Sequence, residues 1–154
     1  MRPKEGPPTI SSPVEEMSKK FLLDTSALLA FIEDEEGADR VEEVFEGEKA
    51  LLPWPVLLEV YYVTLQERGQ AEADHRYALI KQLRAEILWE MNEPIMLTAG
   101  HIKATHHVSL ADAMIAAFAI RQGAVLMHKD PEFDALATLL PMEALPYKSS
   151  VSTP

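Results

Sequence analysis

Short apolar segments alternate with helical segments along most of this 154-residue chain, and this alternation limits the folds open to it. Strands separated by helices need crossover connections, which produce a mostly parallel sheet with helices on both faces. We therefore predict a three-layer α/β/α architecture with a small, mostly parallel sheet of four to five strands. The predicted strands are 21–23, 50–52, 95–97 and 124–127, with a short fifth at 142–145, and the predicted helices are 26–32, 38–45, 56–68, 71–88, 99–107 and 109–122.

The last of these helices carries the strongest burial signal. Its segment 113–120 has no polar residue before Arg121. A helix that is apolar on all sides is buried, and its alanines allow close approach to the sheet. We expect its first turn, which carries Asp112, to face an interior site.

Composition and length favour one domain of 17–148. The chain has no cysteine, which suits a reducing cytoplasm and excludes thiolate catalysis and cysteine zinc sites. No apolar run approaches the ~20 residues of a membrane span. Residues 1–16 hold four prolines and little apolar material, so we predict a disordered extension there and a second disordered tail at 149–154. Met17 precedes a short basic lead into the first strand, which suggests that translation begins there.

The net charge of −11 argues against a protein that grips nucleic acid through a broad basic surface. Much of the acid lies in two blocks, 33–36 and 42–48, which are typical of solvated helix faces. This charge does not exclude a small acidic metal site that acts on a nucleic acid held by a few basic residues or by a partner.

Four carboxylates lie beside apolar segments that should be buried: Asp24, Glu59, Asp112 and Asp130. Asp24 and Asp130 come directly after predicted strands, where parallel sheets place their sites. Glu59 is the only charged residue between positions 56 and 63, and a buried unpaired carboxylate is costly. If the fold gathers all four, a hard divalent cation is the natural occupant and phosphodiester hydrolysis the natural chemistry.

Each acid also has a simpler explanation. Asp24 and Asp130 can cap the helical turns that follow them, and Ser109 with Asp112 fits a capping box. Asp134 is an alternative ligand to Asp130, and the hydroxyls of Thr25 and Ser26 can support the Asp24 carboxylate. Because histidine is scarce near these acids, Mg²⁺ or Mn²⁺ is favoured over zinc.

The candidate substrate contacts are few and basic. They could bind a phosphate near Asp112 or Asp130, or they could be solvated helix ends. They are Lys103, His106, His107 and Lys129.

These segments together resemble the PIN-domain ribonucleases, in particular the VapC-like toxins of toxin–antitoxin pairs. The resemblance rests on Leu-Asp24-Thr-Ser26, the apolar helix with Glu59, Ser109-Leu-Ala-Asp112-Ala and His-Lys-Asp130-Pro, and covers residues 18 to about 147. It implies that the four acids form a Mg²⁺ or Mn²⁺ site that hydrolyses RNA. It also implies a homodimer and a cognate antitoxin laid across the site. His128 departs from the family, which often has Thr or Ser two residues before the last Asp.

Two alternatives compete with a nuclease. One is a receiver-type phosphoacceptor domain, for which Lys129 would be the lysine after a late strand, although Ser26 replaces the second acid such sites use. The other is a non-catalytic PIN-like module that binds RNA or protein. The presence of all four acids argues against it.

Overall fold

The structure is a computed structural model that describes residues 19–147, and it contains one five-stranded parallel sheet. The predicted extension 1–16, the Met17 start and the tail 149–154 lie outside the described residues. The strands are β1 (Lys20–Leu23), β2 (Lys49–Pro53), β3 (Glu86–Leu88), β4 (Val125–His128) and β5 (Met142–Ala144). The helices are α1 (Thr25–Ile32), α2 (Ala38–Gly47), α3 (Trp54–Arg68), α4 (Gln70–Lys81), α5 (Glu93–Thr105) and α6 (Leu110–Gln122), with a 3₁₀ turn at Pro131–Leu136.

The strand order is β3-β2-β1-β4-β5, which confirms the predicted α/β/α fold. Strand β1 is central: Leu22 pairs with Leu51 of β2 on one side and with Leu126 of β4 on the other. The chain runs outward from β1 to β3 and then returns to β4, so the order reverses between β1 and β4. Ligand sites of open parallel sheets lie at this switch point. A receiver-type domain has the order 2-1-3-4-5, so the sheet is inconsistent with that alternative.

Helix α6 is the buried element that the sequence predicts. Its residues Ala113, Ile115, Phe118 and Ala119 are all fully buried, and the helix contacts α5, β1 and β4. Gly123 ends it in the left-handed conformation, with φ of 64°. The burial fixes the start of α6 next to the carboxyl ends of β1 and β4.

The prediction for the third strand is wrong. Residues 95–97 belong to α5, because Asn92 caps that helix by accepting from the Ile95 backbone N–H at 3.0 Å. Met96 and Leu97 are at least half exposed, so this apolar run lies on a surface. The real third strand, β3, lies inside the predicted helix 71–88, which ends at Lys81 instead.

Helices α3 and α4 form a hairpin joined at Gly69. A buried guanidinium, that of Arg76 on α4, ties this hairpin to α1. Arg76 donates to Glu72 and to Glu33 at 3.0 Å each, and its side chain is 7% exposed. Glu33 is the C-cap residue of α1, so the ion pairs fix the far end of that helix.

Candidate active site

Asp24 links the end of β1 to the start of α1. It caps the helix by accepting from the Ala27 backbone N–H at 2.9 Å, and its two carboxylate oxygens accept from the Ser26 hydroxyl at 2.8 and 2.9 Å. The residue is 3% exposed. Burial, reinforced by the charge of Asp112, raises the pKa of Asp24 to about 7 although these hydrogen bonds oppose the shift. The capping and site interpretations of Asp24 are therefore compatible.

At the switch point, one hydroxyl links the start of α1 to the segment after β4. Ser26 Oγ, which donates to Asp24, also accepts from the Lys129 backbone N–H at 2.8 Å. In addition, the Asp24 backbone N–H donates to the Met127 carbonyl at 3.0 Å. The segment after β4 is thus held against the start of α1, which brings Asp130 to the same edge of the sheet as Asp24.

Glu59 reaches this edge from α3. Its carboxylate accepts a hydrogen bond from the Thr25 hydroxyl on α1. The sequence predicts a buried, unpaired carboxylate, whereas the residue is partly exposed and has this partner. The contact joins α3 to α1 at the site.

Asp112 lies in the first turn of the buried helix α6. Ser109 caps that helix by accepting from the Asp112 backbone N–H at 3.1 Å, as the sequence predicts. Partial burial, together with the charges of Asp130 and Glu59, raises the pKa of Asp112 to about 6. Asp112 therefore interacts electrostatically with carboxylates from three other elements, since its charge also acts on Asp24.

A fifth acid lies close to Asp130. Asp130 caps the 3₁₀ turn by accepting from the Glu132 backbone N–H at 2.9 Å. Within residues 19–147, one group of acids is spaced to hold a metal ion: one carboxylate oxygen from each of Asp112, Asp130 and Glu132 lies within 4.8 Å of the others. The sequence prediction missed Glu132. Its position could have identified it, because the second residue of a turn that begins after Asp130, at Pro131, lies beside the capping acid.

Asp134, the predicted alternative ligand, is not in that group. It is exposed, and its carboxylate lies 3.4 Å from the Tyr147 hydroxyl, which donates to it. We name the set Asp24, Glu59, Asp112, Asp130 and Glu132 the acidic centre.

His128, two residues before Asp130, pairs with the Asp130 backbone. Its Nδ1 accepts from the Asp130 N–H at 3.1 Å, and its ring lies 5.1 Å from that of Phe133. Burial lowers the pKa of His128. A neutral, buried imidazole thus orients the segment that carries Asp130.

The predicted substrate contacts occupy different surroundings. The Lys129 side chain is 5% exposed, and its ammonium lies 3.4 Å from Glu35 and donates to the Glu36 carbonyl at 2.8 Å. This geometry argues against a phosphate contact by Lys129. Lys103 donates to the Val108 carbonyl at 2.9 Å, which ties it to the loop before α6. His106 and His107 lie in that same loop, and His107 is exposed.

The sequence matches the PIN domain family over residues 21–139. The chain belongs to this family. The matched segment contains all five members of the acidic centre, and PIN domains generally use divalent metals. No curated protein sequence matches the chain at a significant level.

Solved structures with the same fold come from several toxin–antitoxin systems. A chain in the crystal structure of VapBC2 from Rickettsia felis, bound to a promoter DNA fragment, superposes with a TM-score of 0.68 at 16% identity, covering 82% of this chain and 99% of that one. For DNA-bound VapBC from Salmonella typhimurium the TM-score is 0.67 at 20% identity, with 82% and 98% covered. VapC20 from Mycobacterium tuberculosis, a toxin that cleaves the sarcin-ricin loop, gives 0.64 at 16% identity, with 82% and 99% covered. These likenesses concern the fold.

No helix within the described part of the chain has the length and apolar character needed to cross a membrane.

Proposed function

We propose that the protein is a metal-dependent endoribonuclease that acts in the cytoplasm as the toxin of a toxin–antitoxin pair. The observation that carries the proposal is the acidic centre at the switch point of the sheet. Five carboxylates from four segments of the chain converge there without a cationic side chain that pairs with Asp24 or Asp112 among the described contacts. Membership of the PIN domain family supports the proposal that this centre has nuclease activity.

The donor set fits a hard divalent cation. All its ligand atoms are carboxylate oxygens, which Mg²⁺ and Mn²⁺ prefer, and three of them lie within 4.8 Å of one another. Burial raises the pKa values of Asp24 and Asp112, and repulsion between the like charges of the centre adds to the shift. Asp112, Asp130 and Glu132 would hold the cation directly, with Asp24 and Glu59 completing the negative environment.

The chain's own groups prepare the site for hydrolysis. Ser26 and Thr25 fix the carboxylates of Asp24 and Glu59 in one orientation, so that little rearrangement is needed when substrate binds. A bound Mg²⁺ or Mn²⁺ supplies positive charge to the scissile phosphate and lowers the pKa of the attacking water. The loop containing His106 and His107 precedes Asp112 and offers exposed donors for the RNA backbone.

The place in a toxin–antitoxin pair rests on the solved structures with this fold. They include VapBC complexes from Rickettsia felis and Salmonella typhimurium and a toxin that cleaves the sarcin-ricin loop. By analogy we expect a homodimer with a cognate antitoxin that covers the acidic centre.

Thermal denaturation of EDTA-stripped protein tests the centre, and RNA cleavage tests the function. We expect millimolar Mn²⁺ or Mg²⁺ to raise Tm, since a ligand bound 100-fold above its Kd stabilises by about 2.7 kcal/mol. The double variant Asp24→Asn/Asp112→Asn should lose this rise, and it should lose cleavage of RNA in the same buffer. Glu67→Gln, which neutralises an exposed carboxylate about two turns further along α3 from Glu59, is the control that should keep both.

Two results would contradict the proposal. Metal-independent cleavage that survives in the double variant would place catalysis elsewhere. A metal-dependent rise in Tm with no cleavage of any RNA would support a non-catalytic PIN-like module instead.

A further inference from the structure

A cavity of about 330 Å³ opens beside the acidic centre. One wall is a single face of α1, formed by Ser26, Leu29 and Glu33 at the spacing of successive helical turns. Pro131 and Tyr147 line the cavity as well, and both follow strands at the same edge of the sheet. The Ser26 hydroxyl donates to Asp24, and Pro131 follows Asp130 in the chain, so the cavity lies next to the acidic centre.

The charges that line this cavity are already paired. The Glu33 carboxylate accepts from Arg76 at 3.0 Å and lies 3.8 Å from Arg68. Lys129 lies 3.4 Å from Glu35. A cation would gain little here, because the carboxylates already have cationic partners. A phosphate would gain little as well, because the buried ammonium already contacts Glu35 and the Glu36 carbonyl. The cavity is suited to a neutral group.

The surfaces of the cavity favour a flat group with hydrogen-bond donors. Tyr147 is 37% exposed, and together with Leu29 and Pro131 it offers aromatic and apolar surface. A carboxylate has about four lone-pair sites, so Glu33 and Glu35 can accept further hydrogen bonds while they remain paired. A volume of about 330 Å³ is at the low end of small-molecule sites, which suits one nucleotide unit and not a peptide segment.

We propose that this cavity is a nucleobase subsite that receives a base next to the scissile phosphate and prefers guanine. The proposal rests on the ribonuclease function proposed above and adds a source of sequence preference to it. Single-stranded RNA is recognised through unstacked bases that stack on aromatic side chains and hydrogen-bond through their edges. The Watson–Crick edge of guanine presents two adjacent donors, N1–H and the N2 amino group, to a carboxylate. Uracil presents one donor flanked by carbonyl oxygens, which carboxylates repel.

The subsite also accounts for RNA binding by a chain with a net charge of −11. A protein without a broad basic surface gains little from backbone phosphates. Stacking and edge hydrogen bonds to a base do not depend on net charge, and they are less sensitive to salt.

Binding of single nucleotides tests the subsite without catalysis. Full-length protein in Mg²⁺ is titrated with GMP, IMP and UMP, and NMR signals of the Tyr147 ring and of α1 amides are followed. We expect GMP to shift them, IMP to bind several-fold more weakly because it lacks the N2 amino group, and UMP to leave them unchanged. Tyr147→Ala should weaken GMP binding about tenfold or more, and Tyr147→Phe should restore it. Trp89→Ala, which removes an exposed aromatic that does not line the cavity, should not affect it.

Cleavage of a randomised RNA pool tests the preference. Sequencing of the product ends should show guanine enriched and uracil depleted at one fixed position beside the cut, and Tyr147→Ala should abolish the enrichment. Cleavage without base preference would overturn the subsite while the ribonuclease function stands. If no RNA is cut, the proposed function fails, and the GMP titration still decides whether the cavity binds a base. Shifts of the same signals by a triarginine peptide but not by GMP would assign the cavity to a protein partner and overturn the proposal.

Discussion

The carboxylates at the two ends of helix α1 are stabilised in opposite ways. At its N-terminal end, Asp24 is 3% exposed and is held by neutral donors, the Ser26 hydroxyl and the Ala27 N–H. At its C-terminal end, Glu33 is paired with the guanidinium of Arg76 at 3.0 Å. Helix α1, which has eight residues, thus has at one end a carboxylate held by neutral donors and at the other a carboxylate paired with a cation.

This difference separates the end of α1 that can attract an external cation from the end that has its own cation. A carboxylate with an internal cation needs no external cation, so the ion pair of Glu33 with Arg76 serves to fix α4 against α1. A buried carboxylate that has only neutral donors is stable when it binds a proton or an external cation. This is why we propose that the Asp24 end contributes to a site for an external cation.

The largest effect that we predict is on catalysis. Asp24→Asn and Asp112→Asn, each tested alone, should reduce metal-dependent RNA cleavage below about 1% of wild type, because each removes a charge from the site that binds the cation. Arg76→Leu should retain cleavage per folded molecule, since it alters the other end of α1. Cleavage rates are normalised to the folded fraction measured by circular dichroism. If Arg76→Leu abolishes cleavage in well-folded protein as completely as Asp24→Asn does, the functional separation of the two ends is wrong.

The second effect is a dependence of stability on pH. The pKa of Asp24 is raised to about 7 and that of Asp112 to about 6, above the ordinary value of 3.8. Between pH ~4 and ~7 the folded state therefore binds more protons than the unfolded state, and stability falls as the pH rises through this window. In EDTA we expect a loss of roughly 5 kcal/mol between pH 4.5 and 8 from these two groups.

Urea denaturation at a series of pH values measures this slope. Other groups titrate in the same range, notably His128, whose lowered pKa acts in the opposite direction. The difference between wild type and Asp24→Asn isolates the Asp24 contribution: Asp24→Asn should be the more stable protein at pH 8 in EDTA and not at pH 4.5. Saturating Mn²⁺ should reverse the order at pH 8. Parallel wild-type and variant profiles would show that Asp24 has an ordinary pKa.

The sequence predicts the elements that are encoded locally and misses those that depend on partners far along the chain. The apolar helix at 113–120 and the acids after β1 and β4 follow from patterning and from the rules of parallel sheets. Strand β3 has three residues at the sheet edge, and Leu88 is a strand residue only because it pairs with Pro53 of β2. Its local sequence continues the pattern of the preceding helix.

The same distinction applies to the site. Asp24, Glu59, Asp112 and Asp130 stand out in the sequence because apolar residues surround each of them. Glu132 lies in a polar turn and enters the acidic centre only through its distance from Asp112. Lys129 looks like a phosphate ligand in the sequence, yet the loop before α2 binds its ammonium. Such pairings join residues about 94 positions apart, and no local pattern contains them.

The third effect concerns how the ion pairs at the Glu33 end of α1 contribute to stability. Arg76→Leu should lower the free energy of unfolding by about 1–3 kcal/mol, because it leaves Glu33 and Thr64 without their buried donor. Mn²⁺ should not restore this loss selectively, since the ion acts at the other end of α1. Arg84→Leu, at an exposed position, is the matched control and should change stability by less than about 0.5 kcal/mol. A loss in Arg76→Leu as small as the control's would mean that the ion pairs contribute little.

The smallest effect tests whether the neutral donors at the Asp24 end position the acids. Thr25 donates to Glu59 and joins α1 to α3 across the acidic centre. Thr25→Val keeps the shape of the side chain but removes the donor, so Glu59 should lose its fixed orientation in the acidic centre. Cleavage should then fall about tenfold, as is common when a group that orients a metal-site side chain is removed. Thr25→Ser, which keeps the hydroxyl, should restore most of the rate. Because the change lies in orientation and not in charge, the apparent Mn²⁺ affinity measured by cleavage should weaken while the stability of the metal-free protein stays nearly constant. Equal rates in Thr25→Val and Thr25→Ser would show that the shape of residue 25 matters and its hydrogen bond does not.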